Sequence, residues 1–135
     1  MNYPPLYLRK NSERTVRNGH PWIFSGAVDR RPKDADTGDV IDVFDSNQRF
    51  VCRGFYNKRS LIRVRSLTQD ASCPIDSAFF EQRIAQAVEY RRGTDLASVT
   101  NAMRLVHGES DGLPGLIVDD YAGYLSVQFH TAGME

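Results

Sequence analysis

The sequence predicts an α+β protein in which a small strand-built pseudo-barrel precedes a helix and antiparallel strands. Three runs that alternate like strands, at residues 40–45, 49–56 and 61–67, are separated only by short polar turns. Several short strands with one short helix cannot build a large sheet, whereas a closed or half-closed barrel buries one face and removes the edges. Farther along the chain, apolar residues recur at helical spacing within residues 77–92, and further strand-like runs follow.

The predicted barrel begins with a strand at residues 6–10, LYLRK, which alternates apolar and polar side chains. The run SERTVRN predicts a short helix, which Asn18–Gly19 and then Pro21 end. Residues 27–39 are polar and contain turn formers, so they are expected to lead into the three strands as a loop.

The second half of the chain begins with a change in composition at residues 68–76, which are expected to be a linker. Asp76 or Ser77 begins the predicted helix, and Gly93 ends it. Residues 95–101 predict a second, short helical segment.

Three strand-like runs, RLVHGESD, GLPGLIVDDY and YLSVQF, complete the chain, with turns predicted at Asp111–Gly112 and Ala122–Gly123. Because no closing element follows them, these strands are expected to expose an edge. We therefore expect the second unit to continue in a longer parent protein, of which this chain is a truncated part.

Positive charge is concentrated in the first half of a chain whose net charge is zero. Residues 1–65 carry 13 lysines and arginines against seven acids, a net of +6, and residues 66–135 carry four against ten, a net of −6. Fourteen of the 17 cations are arginine, whose planar guanidinium binds phosphate and stacks on bases. This distribution predicts a polyanionic partner for the first half.

One basic segment is the best candidate for that contact. Between Asp45 and Asp70 there is no acid, and basic residues there are interleaved with aromatic ones. This mixture favours a surface for single-stranded RNA over a merely solvated face. Arg63 and Arg65 are expected to share one face of their strand, where their mutual repulsion indicates a bound anion.

Composition excludes several other classes of protein. No apolar run approaches the roughly 20 residues of a membrane helix, and the N-terminus becomes charged too early for a secretory signal. Cys52 and Cys73 are too few for a disulfide framework or a four-cysteine metal site. We expect a cytoplasmic protein with no membrane partner and no metal.

Three motifs that resemble catalytic or binding sites are not assigned such a function. Cys52 is expected in a strand core, and Cys73 lies in the linker without an activating base. The glycines of GESDGLPG (108–115) lead into a strand, whereas a phosphate-binding loop enters a helix, so a structural turn is predicted. His107-Gly108-Glu109 matches half of a zinc deaminase signature, but no Pro-Cys-x-x-Cys segment follows it.

Three segments resemble one family of RNA-modifying enzymes. GHPWIFSGAV (19–28) and GDVIDVFDSNQRFVCRGFYNKRSLIRVRSL (38–67) look like a PUA domain, which is an RNA-binding pseudo-barrel. RLVHGESDGLPGLIVDDY (104–121) looks like the opening of the central α/β domain in PUA-containing cytosine-C5 methyltransferases of large-subunit rRNA. The resemblance implies a PUA-like domain at residues 1–70 and the truncated start of the α/β domain at residues 71–135.

The resemblance also implies an activity for the parent protein, which is methyl transfer from S-adenosylmethionine to C5 of a cytosine in 23S-type rRNA. The Rossmann-like domain that binds this cofactor and carries the catalytic cysteine is expected downstream and is absent from this chain. Large-subunit rRNA is the expected partner, and a homodimer is left open. No catalytic, cofactor-binding or metal-binding residue is expected here, and the expected RNA-binding residues are Arg14, Arg17, Gly19, His20, Lys58, Arg59, Arg63 and Arg65.

The corner GHPWIFSGAV contains the chain's single tryptophan, Trp22. In the PUA resemblance, Gly19 allows the backbone to approach a ligand or a neighbouring strand closely. Trp22, Ile23 and Phe24 are expected to pack against the barrel, with base stacking by Trp22 as the alternative. His20 is expected to be more exposed and able to donate a hydrogen bond to phosphate.

Two alternatives to the methyltransferase hypothesis stay open. The chain could be a stand-alone RNA-binding adaptor without catalysis. It could also be a structural interaction module, in which the acidic second half docks on the basic first half.

Overall fold

A computed structural model describes residues 3–135, apart from the side chain of Ala97. The chain divides into two units, one up to Pro74 and one from Ile75 onward. This division falls within the segment 68–76 that composition marks as a linker. Each unit has a buried apolar cluster of its own.

Six strands form a single sheet in the first unit. They are β1 Pro5–Leu8, β2 Trp22–Phe24, β3 Val28–Arg30, β4 Val40–Phe44, β5 Phe50–Tyr56 and β6 Ile62–Thr68. Their order in the sheet is β2-β6-β5-β4-β1-β3, with β1 parallel to β4 and all other neighbours antiparallel. The predicted meander is confirmed as β4, β5 and β6.

The sheet curls because its two edge strands are neighbours along the chain. β2 and β3 stand at opposite ends of the strand order, yet only the 3-10 turn Ser25–Ala27 separates them. Six strands laid flat would hold the two edges roughly 24 Å apart, whereas four residues of extended chain span at most about 14 Å. The first unit is therefore a half-barrel, which confirms the predicted pseudo-barrel. β2 and β3 are not predicted from the sequence because strands of three residues are too short for alternation to stand out.

Alternation along the strands supplies the core of this half-barrel. Leu6 and Leu8 on β1, and Ile41 and Val43 on β4, are at most 1% exposed. The short helix α1, Arg14–Arg17, adds Val16 to the same cluster. Burial of each such side chain contributes roughly 1.5–3 kcal/mol, so apolar packing inside the sheet stabilises the unit.

A capped helix opens the second unit. α2 spans Ser77–Arg92, and the side chain of Asp76 accepts a hydrogen bond from the N–H of Phe79 at 3.0 Å. This is the N-cap arrangement predicted from the sequence, and Gly93 stands at the other end of the helix. The second helical segment is confirmed as α3, Leu96–Val99.

Three antiparallel strands complete the second unit in the order β7, β8, β9, with bounds Ala102–His107, Leu116–Tyr121 and Tyr124–Phe129. Ala122 and Gly123 have φ angles of 55° and 92°, the left-handed conformation of a two-residue hairpin turn. This turn was predicted. All six residues of β9 are exposed, as expected for an uncovered edge strand.

The glycine-rich segment 108–115 is a structural turn, as predicted. A 3-10 turn at Gly108–Asp111 leads through Gly112, with φ at 68°, and the buried Pro114 into β8. A Cβ added to Gly115 would lie 2.6 Å from Cγ2 of Thr131, so a side chain there would force a shift. Within residues 3–135, no helix has the length and apolar character needed to cross a membrane.

Candidate nucleic-acid interface

An aromatic and basic patch lies on β2 at the edge of the sheet. Ile23 enters the core with 2% exposure, so alternation leaves Trp22 and Phe24 on the other side of the strand. The Trp22 and Phe24 rings meet edge to face with their centroids 6.3 Å apart. Arg65 is the register partner of Trp22 on β6, and its guanidinium carbon lies 5.2 Å from the Trp22 ring centroid. We call Trp22, Phe24, Arg65 and His20 the β2 patch.

The exposure of Phe24 corrects one expectation. Packing against the barrel was expected for Trp22, Ile23 and Phe24 alike, yet Phe24 is 48% exposed. Three successive strand residues cannot all face the core, because alternate side chains point to opposite sides. Trp22 is half-buried, so its ring both packs and presents surface.

Gly19 and His20 fix the corner that precedes β2. The N–H groups of Gly19 and His20 donate to the carbonyls of Val16 and Thr15 at 2.9 and 3.0 Å. Gly19 has a φ of 95°, and a Cβ there would have no described atom within 4 Å. The left-handed conformation, rather than a close neighbouring strand, is therefore what requires glycine. Nδ1 of the exposed His20 lies 3.1 Å from the N–H and 3.2 Å from the carbonyl oxygen of Trp22, so the ring is held against the backbone of β2.

Arg63 supports the turn between β5 and β6. Its side chain is buried, with 5% exposure, and Nη1 donates to the carbonyl of Asn57 at 2.9 Å. Asn57 Oδ1 accepts the N–H groups of Arg59 and Ser60 at 2.9 and 2.8 Å. Nε of Arg63 is buried without a hydrogen-bond partner among the described residues. Arg63 has little surface for phosphate, but it orients the turn that carries Lys58 and Arg59.

Lys58 and Arg59 are the exposed cations of this turn. The Lys58 ammonium pairs with the carboxylate of Asp36. An exposed ion pair of this kind is weak, so the lysine can exchange its partner for a phosphate. The turn adjoins the β2 patch, because the N–H of Ser25 donates to the carbonyl of Leu61 at 2.8 Å.

Arg17 forms an ion pair with the buried carboxylate of Asp45. Oδ2 of Asp45, which is 1% exposed, lies 3.3 Å from Arg17 Nη2 and 2.9 Å from Arg49 Nε. Oδ1 accepts the N–H groups of Asn47 and Arg49 at 2.9 and 3.0 Å. The hydrogen bond from the Arg49 N–H, followed by the other donors, holds the pKa of the Asp45 carboxyl below its ordinary value against the effect of burial. Arg17 therefore has a structural partner, although 43% of its side chain is exposed.

The family model of the PUA-like domain matches residues 6–69. This range covers all six strands of the half-barrel except Pro5. Residues 6–69 form a PUA-like domain.

Relatives extend the likeness beyond the PUA-like domain. The chain is 40% identical over 99% of its length to the ribosomal RNA large subunit methyltransferase I of Salmonella arizonae. It is 42% identical over 96% of its length to the protein of the same name from Escherichia coli. These values establish homology to that methyltransferase. In both cases the chain spans 33% of the relative's length.

A solved structure shows the same fold. SMU.776, which is assigned as a methyltransferase and was crystallised with SAH, superposes with a TM-score of 0.81. The match covers 96% of this chain and 33% of that one at 14% identity. A PUA-like domain followed by a helix and antiparallel strands is thereby confirmed as the architecture.

The residues predicted to bind RNA fall into three groups in this structure. The corner and β2 patch contain Gly19, His20 and Arg65, the adjoining turn contains Lys58, Arg59 and Arg63, and helix α1 contains Arg14 and Arg17. Their contact with RNA stays a prediction. Phe24 joins the first group, and the alternation of Trp-Ile-Phe is the signal that identifies it.

The position of Cys52 makes its thiol unreactive, and the position of Cys73 gives little support for a reactive thiol. Cys52 is fully buried in the PUA-like core, as predicted, and burial raises the pKa of its thiol to about 12. Cys73 is half-buried, and its Sγ lies 3.6 Å from the carbonyl of Pro74. Among residues 3–135, no group of three or more His, Cys, Asp or Glu side chains could hold a metal ion.

Proposed function

We propose that this chain is the rRNA-binding part of a methyltransferase that acts on the large ribosomal subunit. The observation that carries the proposal is 40% identity, over 99% of the chain, to a protein named for that activity. The PUA-like domain supports an RNA-binding role, because it presents Arg65 next to the half-buried Trp22 ring and the exposed Phe24 ring. We place the protein in the cytoplasm with large-subunit rRNA as its partner.

The β2 patch and the adjoining turn are the proposed RNA contact. Arg65 and the His20 ring can contact phosphate, Lys58 and Arg59 add positive charge beside them, and the Phe24 ring offers a face to a base. Buried Arg63 positions the turn rather than contacting RNA. Because phosphate contacts give register but no sequence information, target choice falls to RNA shape and to the rest of the parent protein.

For the parent protein we propose methyl transfer from S-adenosylmethionine to C5 of a cytosine. Such a reaction needs a thiolate that adds to C6 and makes C5 nucleophilic. Cys52 is a poor candidate, because its thiol is buried and has a pKa of about 12. The thiol and the cofactor-binding turn would belong to the length of the relatives that this chain does not span.

Binding to a large-subunit rRNA fragment, titrated over a range of salt concentrations, tests the role of the chain. Affinity is expected to fall with salt, and Arg65→Ala to reduce the slope of log K against log salt by about one. Arg92→Ala removes an exposed arginine at the end of α2 and is the matched control, with an unchanged slope expected. Absence of binding at low salt would contradict the proposal, and an unchanged slope for Arg65→Ala would remove Arg65 from the contact.

Bisulfite sequencing of large-subunit rRNA, from cells with and without the gene, tests the parent's reaction. Loss of one methylated cytosine is the expected result. An unchanged cytosine pattern together with a lost methyl group on another base would contradict the C5 assignment while leaving the RNA-binding role intact.

A further inference from the structure

A row of rings crosses the outer side of the half-barrel, away from the β2 patch in the strand order. Phe44 on β4 is the register partner of both Phe50 on β5 and Tyr7 on β1, and Tyr7 is the partner of Arg30 on β3. Ring centroids lie 6.1 Å apart for Phe50 and Phe44 and 5.6 Å apart for Phe44 and Tyr7. The Arg30 guanidinium carbon lies 4.0 Å from the Tyr7 centroid. Three aromatic side chains and one guanidinium thus stand side by side on four adjacent strands.

This row is not part of the core. Leu6, Leu8 and Val43, the sequence neighbours of Tyr7 and Phe44, are at most 1% exposed and fill the barrel interior. Alternation therefore places Tyr7 and Phe44 on the opposite side of the sheet, where both are only half-buried. Aromatic rings aligned on the outer side of a sheet need a reason other than core packing.

A groove of about 580 Å³ runs beside the row. It is lined by Tyr3, Pro4, Pro5, Tyr7, Arg30, Arg31, Lys33, Asp34, Asp42 and Phe44, all within the first unit. Asp42 is already neutralised by Arg53, which donates from Nε and Nη2 to its two carboxylate oxygens at 2.6 and 3.1 Å. The remaining lining carries three cations against one acid, so the groove is positive.

Arg30 closes the row with an accessible guanidinium. Its side chain is 65% exposed, and its nearest carboxylate contact, Asp29 Oδ2, is 3.8 Å away. An exposed pair at that distance contributes little, so the Tyr7 ring is the main support of the guanidinium plane. A guanidinium held 4.0 Å over a ring centroid can offer its outer face to another planar π system.

We propose that this groove binds an unpaired stretch of RNA, with one base stacked on Arg30 or the adjacent rings and the phosphates beside Arg31 and Lys33. The inference rests on the proposed function and adds a second RNA contact to the β2 patch. Single-stranded RNA fits the observations better than a peptide, because a planar cation, stacked rings and a cationic rim together match bases joined by phosphates. A duplex would present no free base faces to the row.

Binding of the full chain to a fluorescent single-stranded RNA decamer and to the duplex of the same sequence tests the inference. Arg30→Ala is expected to weaken single-strand binding about tenfold, the size of one lost stacking contact. Arg30→Lys keeps the charge but loses the planar guanidinium, and is expected to bind the single strand nearly as weakly as Arg30→Ala. Arg92→Ala is the matched control for removal of an exposed arginine. Duplex binding is expected to change little in all three variants.

A direct readout accompanies the affinities. RNA that carries 4-thiouridine is cross-linked to the wild-type chain, and the attached peptides are mapped by mass spectrometry. Cross-links are expected in the peptides that contain Tyr3, Tyr7 or Phe44. Because Arg30 is mostly exposed, its variants should retain the wild-type melting temperature, so a loss of affinity reports on contact.

The outcomes separate this inference from the proposed function. If wild type binds RNA and Arg65→Ala weakens it, but Arg30→Ala does not and no cross-link falls on the groove, the groove proposal is overturned and the β2 patch stands. Wild-type affinity of Arg30→Lys would show that charge alone, rather than stacking, holds the RNA. That result would also overturn the groove proposal. If the wild-type chain binds neither RNA, both proposals fail.

Discussion

The two units of this protein treat the edges of their sheets differently. In the half-barrel, a three-residue turn joins β2 to β3 and brings the ends of a six-stranded sheet together. In the second unit β9 is an exposed outer strand, and Tyr124, Leu125 and Phe129 on it are 80%, 60% and 49% exposed. A curled sheet buries its apolar side chains with its own strands, whereas three strands in a row leave apolar surface on the last one. Loss of an apolar side chain should therefore cost more stability inside the half-barrel than on β9.

The largest expected effect tests that contrast directly. Leu6→Ala removes a side chain with no exposure and is expected to lower the free energy of unfolding of the half-barrel by about 3 kcal/mol. Leu125→Ala removes a side chain that is 60% exposed and is expected to change stability by less than about 0.5 kcal/mol. Urea unfolding followed by Trp22 fluorescence reports on the half-barrel, and hydrogen exchange reports on β8 and β9. Similar losses for both variants would contradict the contrast.

Two-pronged arginine–aspartate pairs occur in both units, and a buried pair from the half-barrel and an exposed one from the second unit sharpen the comparison. Arg53 and Asp42 in the half-barrel are 7% and 16% exposed, and Arg53 Nη2 also donates to the carbonyl of Ala71 at 3.3 Å. Arg104 and Asp119 in the second unit join Nε to Oδ1 at 2.8 Å and Nη2 to Oδ2 at 3.1 Å, but Arg104 is 43% exposed.

Asp42→Asn is expected to cost about 3 kcal/mol, because it leaves the Arg53 charge buried without its counter-ion. Asp119→Asn is expected to cost clearly less, since water can solvate the Arg104 that remains. The urea midpoints of the two variants, each compared with wild type, test this difference in stability loss. A larger loss for Asp119→Asn would show that the second unit depends on the Arg104–Asp119 pair more than the exposure of Arg104 indicates.

Elements with a strong local signal were predictable from the sequence. The long alternating strands β4, β5 and β6 and the capped helix that begins after Asp76 depend on side chains close together in the chain. β2 and β3 were not predictable, because their pairing depends on how the whole sheet curls. For the same reason, residue types alone could not show that Arg63 is buried under its turn or that Phe24 faces outward.

The candidate site was predictable in kind rather than in detail. The arginines of the first half indicated where cations lie, and Arg65 stands beside Trp22. The aromatic residues interleaved with them were a poorer guide, because Phe55 and Tyr56 are buried in the core. The row of Phe50, Phe44, Tyr7 and Arg30 was missed, because its members are separated by up to 43 positions in the chain and meet only through strand register. Tyr7 between two leucines was the available local signal, since alternation turns it away from the core.

The smallest expected effect concerns pH and again compares the two units. The pKa values of Asp45 in the half-barrel and Asp119 in the second unit are both below their ordinary value, chiefly through the Arg49 N–H for Asp45 and the Arg104 side chain for Asp119. A carboxyl with a lowered pKa in the folded state stabilises it above the unfolded pKa of about 3.9, and that stabilisation is lost as pH falls through the folded value. Both units should therefore lose stability below about pH 4.

In Asp45→Asn the Trp22-monitored urea midpoint is expected to be lower near neutral pH but to decline less between about pH 5 and about pH 2 than in wild type. Asp119→Asn should leave that decline of the half-barrel unchanged, because Asp119 lies in the second unit. An equal decline in wild type and Asp45→Asn would mean that the buried carboxylate is not what couples the half-barrel to acid.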